Sequence, residues 1–598
     1  MLDPARRPFV SGLTAGLLHA GLMALAFPRV GLWPMCLVAA LPLMIVAVRA
    51  KGVPRPGRVA LGAGLGSLPF WLLTHSYIWH ISDAGLPVLL VYLSLWPALF
   101  VWIVERLPAP DRRWARAAVP AAVWVCLEAL RGQWVWEGYP WYLVGQPLID
   151  SSFTLVGATT GIYGASTFAA AFSAVGTLVL THPRTPLERW RPRTLGAMLL
   201  CIGVLLLPFR PGDGASTGTP TTVHLGVVQT NVPQSNKMFG TLDDIIRDFS
   251  TALRLTSEAA HADPKPDLIV WPETSFPGTS LSPEVIEAER ASGLGYRERN
   301  YPLTGWHDEL VRLQDALGIP MLVGAHAIEG FKITDNGTGP RFEQERNYNS
   351  AFLISRGAVQ TDRSDKVHLT PFGETMPHIS HWKWLERRLL ALGAAGMEFN
   401  LASGVGKPIE FRAGPAPGTP VRLAAPICFE ATMPAVVRSI VYPPDSATPP
   451  AGIIINLTND GWFGGSITAR LNHLLAARWR CVELGVPMVR CANTGTSCLI
   501  DAGGRVLQLG PNSPPEPGAA PAVRGALVEG VMSVAVKVVQ PPTGSRPPFL
   551  PRLLEMLLPS AGLGLFLWRC WAGWRARRLA RPRGGIAAAA GPGPMSKA

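Results

Sequence analysis

Leu268-Ile-Val-Trp-Pro-Glu273 is a short apolar run closed by a proline and a carboxylate. A run of this length between turn signals reads as a strand covered on both faces. Glu273 then sits where the chain leaves the sheet, beside Trp271. Such a desolvated setting raises a carboxylate pKa toward the range of a general base. Two other stretches share the form. Lys366 opens Lys366-Val-His-Leu-Thr-Pro-Phe-Gly-Glu374, and Cys428 lies in Pro426-Ile-Cys428-Phe-Glu430 at the end of the apolar run 423–428. Taken singly, each has an ordinary reading: a turn glutamate, a solvated lysine, a small buried thiol. Together, a carboxylate, an ammonium and a thiol at the ends of strand-like runs make a base, an oxyanion stabiliser and a nucleophile. A lysine beside the thiol is expected to lower its pKa.

Further strands are expected at 223–229, 321–325, 350–354, 452–457, 487–491 and 497–500, with helices near 241–261, 304–317 and 467–485. This alternation gives the α/β class and leaves the sheet order open. The region runs over 220–540 and follows a Pro/Gly-rich linker from 211 to 220.

The remainder has a different character. Over the 598 residues, 48% are hydrophobic and only 16% charged, with mean hydropathy +0.22. A soluble domain carries nearer a quarter charged. Apolar segments of spanning length fall near 9–28, 32–48, 59–80, 86–105, 115–132, 153–181, 194–209 and 552–572. The expectation is an α-helical membrane bundle of about eight spans: about seven in 1–210, one at 552–572, and a basic tail at 573–598. Arg6 and Arg7 give the first run the look of a signal peptide, but six more spans follow at once, so it reads as a retained helix. Arg49, Lys51, Arg55 and Arg58 lie in one loop; Arg106, Arg112, Arg113 and Arg116 in another; Arg184, Arg189, Arg191 and Arg193 in a third. The alternate connections are nearly free of Lys and Arg. By the positive-inside rule both termini are cytoplasmic and region 220–540 faces outward, the periplasmic side of a bacterial inner membrane. The formal net charge of +13 is thereby assigned to membrane orientation, with no nucleic-acid partner. Eight cysteines without a C-x-x-C pair signal neither a zinc site nor a disulfide framework. Cys36, Cys126, Cys201, Cys481, Cys491, Cys498 and Cys570 read as small core or span residues.

Glu273, Lys366 and Cys428 resemble the Glu-Lys-Cys triad of the nitrilase superfamily (carbon–nitrogen hydrolases), in that family's chain order. With the membrane layout, the pattern resembles the superfamily's membrane-bound branch, the apolipoprotein N-acyltransferases. Gln229-Thr-Asn-Val-Pro-Gln-Ser-Asn-Lys237, Asn347-Tyr-Asn349-Ser, Asn459-Asp-Gly-Trp-Phe-Gly464 and Arg470-x-x-His473 through Arg480 to Glu483 agree with it. The resemblance implies a nitrilase-like αββα sandwich seated on the bundle. It implies Glu273 as base, Lys366 as oxyanion stabiliser and Cys428 as nucleophile, supported by Glu374 and Glu430. Two positions depart from the family: Phe429 stands where Tyr is common, and Met238 where Trp is common.

The activity implied is acyl transfer through a thioester on Cys428. The donor is a phospholipid, phosphatidylethanolamine, and the acceptor is the N-terminal amine of diacylglyceryl-cysteine on an apolipoprotein. No cofactor or metal is implied. A membrane-anchored amidase acting on a small amide shares the triad, but one helix would anchor it. A non-enzymatic scaffold or transporter would not need the triad. Trp382 and Trp384, in a mixed apolar and basic stretch that runs to Gly396, suit either a mobile arm touching lipid or a helix packed on the domain. The loop Gln133-Trp-Val-Trp-Glu-Gly-Tyr-Pro-Trp141 reads first as an interfacial aromatic belt and second as part of the substrate entrance. His75 and Glu128 are polar exceptions within the spans and receive no role.

Overall fold

The computed structural model describes residues 3–107, 113–181, 191–207, 219–296, 301–335, 340–393, 401–415, 417–445, 447–511 and 527–579. The linker at 211–218, arm residues 394–396, Arg112, Arg184, Arg189, the tail from 580 and the Met238 side chain lie outside them.

Twelve strands form two six-stranded sheets. They are β1 (Thr221–Gln229), β2 (Leu268–Val270), β3 (Met321–Glu329), β4 (Arg346–Ser355), β5 (Ala358–Asp365), β6 (Ile409–Ala413), β7 (Thr419–Ala424), β8 (Ile453–Thr458), β9 (Met488–Ala492), β10 (Ser497–Ile500), β11 (Val506–Gly510) and β12 (Gly530–Val538). The first sheet runs β12-β1-β2-β3-β4-β5 and the second β6-β7-β8-β9-β10-β11. The central pairs β1–β2, β2–β3, β7–β8 and β8–β9 are parallel. One core lies between the sheets, where Val227, Val270 and Leu322 meet Leu423, Ile455 and Val489. A second packs the first sheet against helices Leu242–Ala260 and Gly305–Leu317. A third packs the other sheet against helices Pro434–Val441 and Ile467–Leu484. The layers are therefore αββα.

The strand predicted at 423–428 lies four residues earlier, at Thr419–Ala424. It ends at Ala424, because Pro426 has no N–H for the ladder, and Cys428 opens a 3-10 turn instead. β5 reads Ala358-Val-Gln-Thr-Asp-Arg-Ser-Asp365 and was hidden by its polarity, which suits an edge strand. β12 carried a usable signal, since Met532, Val534, Val536 and Val538 alternate with exposed residues.

The apolar segments form helices Pro8–Ala26, Leu41–Arg49, Gly57–His75, Gly85–Val104, Arg113–Gln133, Thr154–Thr181, Arg191–Leu205 and Phe549–Leu579. Among the described residues four stretches are long and apolar enough to cross a membrane: Pro8–Ala26, Gly85–Val104, Thr154–Thr181 and Phe549–Ala572. The expected count of eight is thus met by four. The 32–48 segment is broken around Ala40, which leaves pieces of four and nine residues, and Arg113–Gln133 carries Arg113, Arg116, Glu128 and Arg131 toward its two ends. Gly12 and Gly16 lie against Gly62 and Gly66; a Cβ at Gly12 would come 2.1 Å from Val59 O. Small residues here let two helix backbones touch.

Helix Ile467–Leu484 joins the two parts because it is apolar on opposite sides. Leu474, Ala477 and Cys481 face the second sheet; Leu475, Trp479 and Val482 join the core of the bundle. Trp479 Nε1 donates to Gln146 O at 2.9 Å, and Ile162 N donates to Glu483 Oε1 at 2.8 Å. A buried bidentate pair, Arg438 to Glu555, ties the domain to the last helix.

Candidate active site

Glu273 follows β2 at the centre of the first sheet. A Cβ at Gly324, on the neighbouring strand, would come 2.3 Å from Pro272 O and 2.8 Å from Glu273 Cα, so only glycine lets β3 pass the turn. The turn is strained, with Thr274 at φ +43°. Lys237 Nζ clamps it, donating to Glu273 O at 3.0 Å and Thr274 O at 3.1 Å. Burial pushes Lys237 down to about 8, against the pull of the Glu273 charge. The Glu273 carboxyl is 6% exposed and accepts from Asn349 Nδ2 at 2.8 Å.

Lys366 follows β5, its N–H bonded to Asn349 O at 2.8 Å. The ammonium is fully buried, 2.7 Å from Glu374 Oε2 and 3.6 Å from Glu273 Oε1. Burial by itself would depress it, but the Glu374 and Glu273 charges win and hold it above the ordinary lysine value. Glu374 accepts from Thr370 N as well; burial raises it, and the Lys366 charge pulls it below the usual carboxylate range.

Cys428 has φ +54°, a region that non-glycine residues hold only when their surroundings impose it. Glu430 supplies part of that constraint. Its carboxylate accepts from Ile427 N at 2.7 Å, Val367 N at 2.7 Å and His368 N at 2.9 Å, linking the Cys428 and Lys366 loops. Burial pushes Glu430 up to about 7 against those bonds. The thiol is also pushed up, first by burial and then by Glu273, with Lys366 acting the other way. Lys366 does pull the thiol down, as expected, but desolvation and three carboxylates, Glu273, Glu374 and Asp460, outweigh it. At rest Cys428 is therefore a thiol, and to act as a nucleophile it needs a base to take its proton. Glu430→Gln leaves a backbone N–H facing an amide NH₂. The expected loss is about 1–3 kcal/mol in unfolding free energy, checked by thermal or denaturant melting of the variant.

The sequence-predicted residues Glu273, Lys366, Cys428, Glu374, Glu430 and Phe429 all come together. Phe429 lies between two rings, Trp141 at 6.5 Å and His368 at 6.1 Å, both stacked. Trp141 also stacks on His473 at 5.7 Å and meets Phe463 edge-on. The aromatic loop therefore reaches the site from the bundle side, while Trp134 stays exposed. Trp382 and Trp384 are not in the constellation. Both are exposed, at 57% and 59%, on and beside helix Lys383–Gly393. His75 donates to or accepts from Tyr139 OH at 2.7 Å, and Glu128 accepts from Val144 N, so both have partners inside the bundle. The sequence reading gave no role to Lys237, Asn349 or His473, although all three stand in motifs it quoted.

Residues 19–175 match the family described as apolipoprotein N-acyltransferase N-terminal domain, and residues 225–515 match carbon-nitrogen hydrolase. An apolipoprotein N-acyltransferase of Allorhizobium ampelinum is 30% identical over 453 residues, covering 74% of this chain and 75% of its own. One from Geobacter metallireducens is 27% identical over 534 residues, covering 85% and 87%. Among solved structures, an amidase from Nesterenkonia sp. aligns with TM-score 0.30 and 14% identity, over 57% of this chain and 96% of its own. The bundle and the thiol-bearing sandwich are thus found joined in relatives along most of this chain, which belongs to the apolipoprotein N-acyltransferase family and is an acyltransferase.

Proposed function

We propose that the chain moves an acyl chain from a phospholipid to the N-terminal amine of diacylglyceryl-cysteine on an apolipoprotein, the last acylation of lipoprotein maturation. One observation carries the reading. The buried Lys366 ammonium is held by two carboxylates and acts on the Cys428 thiol, while Phe429, the residue after that thiol, and Met433 pack in the bundle core. Cys428 Sγ attacks the ester carbonyl while Glu273 takes the thiol proton. The oxyanion forms beside Lys366. The ester C–O bond breaks, Glu273 returns the proton to the departing lysophospholipid oxygen, and a thioester remains. The acceptor amine, with pKa about 8 when free, attacks in its neutral form and gives a proton to Glu273. The C–S bond breaks, an amide is left, and the thiol regains its proton. Such exchange is ping-pong.

In this reading phosphatidylethanolamine is the donor, and Trp382 and Trp384 contact lipid beside the entrance, with Met238 as a further substrate-contact position. The ring of Phe429, stacked between Trp141 and His368, offers an apolar surface without a hydroxyl. The chain divides into a bundle over 1–210, a catalytic domain over 220–540, a span at 552–572 and a tail at 573–598. All eight apolar segments are seated in the bacterial inner membrane, with the catalytic domain periplasmic and both termini cytoplasmic. Mass spectrometry of the intact protein after incubation with phosphatidylethanolamine vesicles tests the reading. The expected result is one acyl group on Cys428, lost when a diacylglyceryl peptide is added. Release of ammonia from small amides without acyl-enzyme from lipid would favour an amidase instead.

A further inference from the structure

Helix Ile467–Leu484 brings one more side chain to the nucleophile. His473 is 1% exposed, and its Nε2 lies 3.3 Å from Cys428 O. Its Nδ1 lies 3.0 Å from Arg490 Nη2 and 3.0 Å from Asp460 Oδ1. Arg490 Nη2 also donates to both Asp460 oxygens, and Arg490 Nη1 donates to Asn456 Oδ1 at 2.7 Å. Asn456 Nδ2 in turn donates to Pro426 O at 2.9 Å. One buried network thus grips the carbonyls of Pro426 and Cys428, on both sides of the residue that enters the strained turn.

The proton on His473 follows from its partners. Burial, then the Arg490 charge, hold the ring below the ordinary imidazole range, so it is neutral at pH 7. A neutral imidazole has one N–H. With that hydrogen on Nε2, Arg490 donates to Nδ1 and His473 donates to Cys428 O, and every contact except that with Asp460 Oδ1 is a hydrogen bond. With it on Nδ1, two donors converge and the Cys428 carbonyl faces a lone pair. Asp460 is already satisfied by Arg490, so the first arrangement is favoured.

The Cys428 carbonyl shares a peptide unit with the Phe429 N–H. The first bond of the turn runs from Glu430 N to Ile427 O, so the Phe429 N–H stands ahead of it. A donor on the carbonyl fixes the peptide plane and polarises its N–H. We propose that His473 is a positioning residue for acyl transfer: through Nε2–H it holds the Cys428–Phe429 peptide so that the Phe429 N–H, with Lys366, meets the oxyanion at the acyl carbonyl. The proposal rests on the acyl-transfer reading above.

Two reactions of the same thiol separate this role from a merely structural one. Acylation of Cys428 by p-nitrophenyl butyrate passes through an oxyanion; alkylation by iodoacetamide does not. Both are followed at one pH by mass spectrometry on the full-length protein in detergent, for wild type, His473→Phe and His473→Gln. His473→Phe keeps a ring against Trp141 and loses the donor; His473→Gln keeps a donor. In His473→Phe acylation is expected to fall about 10–100-fold, less than the 10²–10³ of deleting an oxyanion donor outright, while alkylation stays within about threefold. His473→Gln is expected to keep the wild-type ratio of the two rates, within about threefold by the same argument. Equal falls in both reactions, no fall in acylation, or a ratio lost in His473→Gln would overturn the proposal. If His473→Phe shows no melting transition, His473→Met, which also lacks the donor, takes its place with the same expected fall in acylation alone. The butyrate ester needs no lipid, so failure of the wild type to take an acyl chain from phospholipid would count against the proposed function and leave this ratio interpretable.

Discussion

Cys428→Ala is expected to abolish acyl transfer and the acyl-enzyme together, by about 10⁴-fold or more, the scale on which loss of a nucleophile acts. The structure makes this variant a clean one. The resting thiol is held protonated, so no charge is removed from beside Lys366. Alanine tolerates φ +54° no worse than cysteine does, because both carry a single Cβ. Stability should change by about 1 kcal/mol or less, the transfer term of one small group. The check is acylated peptide by mass spectrometry, beside a melting curve that shows the variant folded. Transfer retained at more than a hundredth of the wild-type rate would remove Cys428 from the mechanism.

Lys366→Met is expected to damage both activity and stability. Activity loses a charged oxyanion donor, which on comparable donors is about 10²–10³-fold in kcat. Stability loses more than a contact. Glu273 is buried and Glu374 half-buried, and they share the Lys366 ammonium, at 3.6 and 2.7 Å. Breaking a buried ion pair from one side costs about 3–5 kcal/mol, since the remaining charge is left without compensation. The pH dependence has a definite sign. In the wild type the Lys366 charge holds Glu374 below its unfolded value, so Glu374 contributes stability above the unfolded carboxylate pKa and loses it as pH falls. In Lys366→Met that contribution reverses, because burial then favours the protonated acid. The variant should be most destabilised at neutral pH and approach the wild type below about pH 4. Melting curves at pH 4 and pH 7.5 test this; a deficit that does not shrink in acid would show that Lys366 does not neutralise the carboxylates. Lys366→Arg should not rescue activity, because a planar guanidinium does not replace a compact ammonium between two carboxylates.

The cluster of Glu273, Lys366 and Cys428 was legible because each member ends or follows a run whose physical character is local. Apolar residues flanked by turn residues mark a covered strand, and chemistry in α/β folds gathers at strand ends. The strands at 223–229, 321–325 and 452–457 were legible for the same reason. His473 was not. It lies in the middle of a helix, and its meaning comes from Asp460, Arg490 and the Cys428 carbonyl, which three other segments deliver. The net direction of the thiol shift was not legible for a related cause. Sequence shows that a lysine is near, but the balance among Lys366, Glu273 and burial depends on distances.

Membrane character also divides in this way. The run Gly85–Val104 is apolar enough to be read directly, whereas the 32–48 segment looks like a span and folds as two short pieces. A hydropathy pattern records what is buried, not whether a helix continues past Ala40.

The sequence by itself determined the class of the domain, the order of base, lysine and thiol, and the pairing of an apolar bundle with an enzyme. These depend on side-chain chemistry and on periodicities that neighbours along the chain establish. Only the tertiary structure decided the state of the nucleophile, the aromatic contact of Trp141 with Phe429, and the network that grips both carbonyls around Ile427. Those depend on groups tens to hundreds of residues apart, brought together in a place where water no longer screens them.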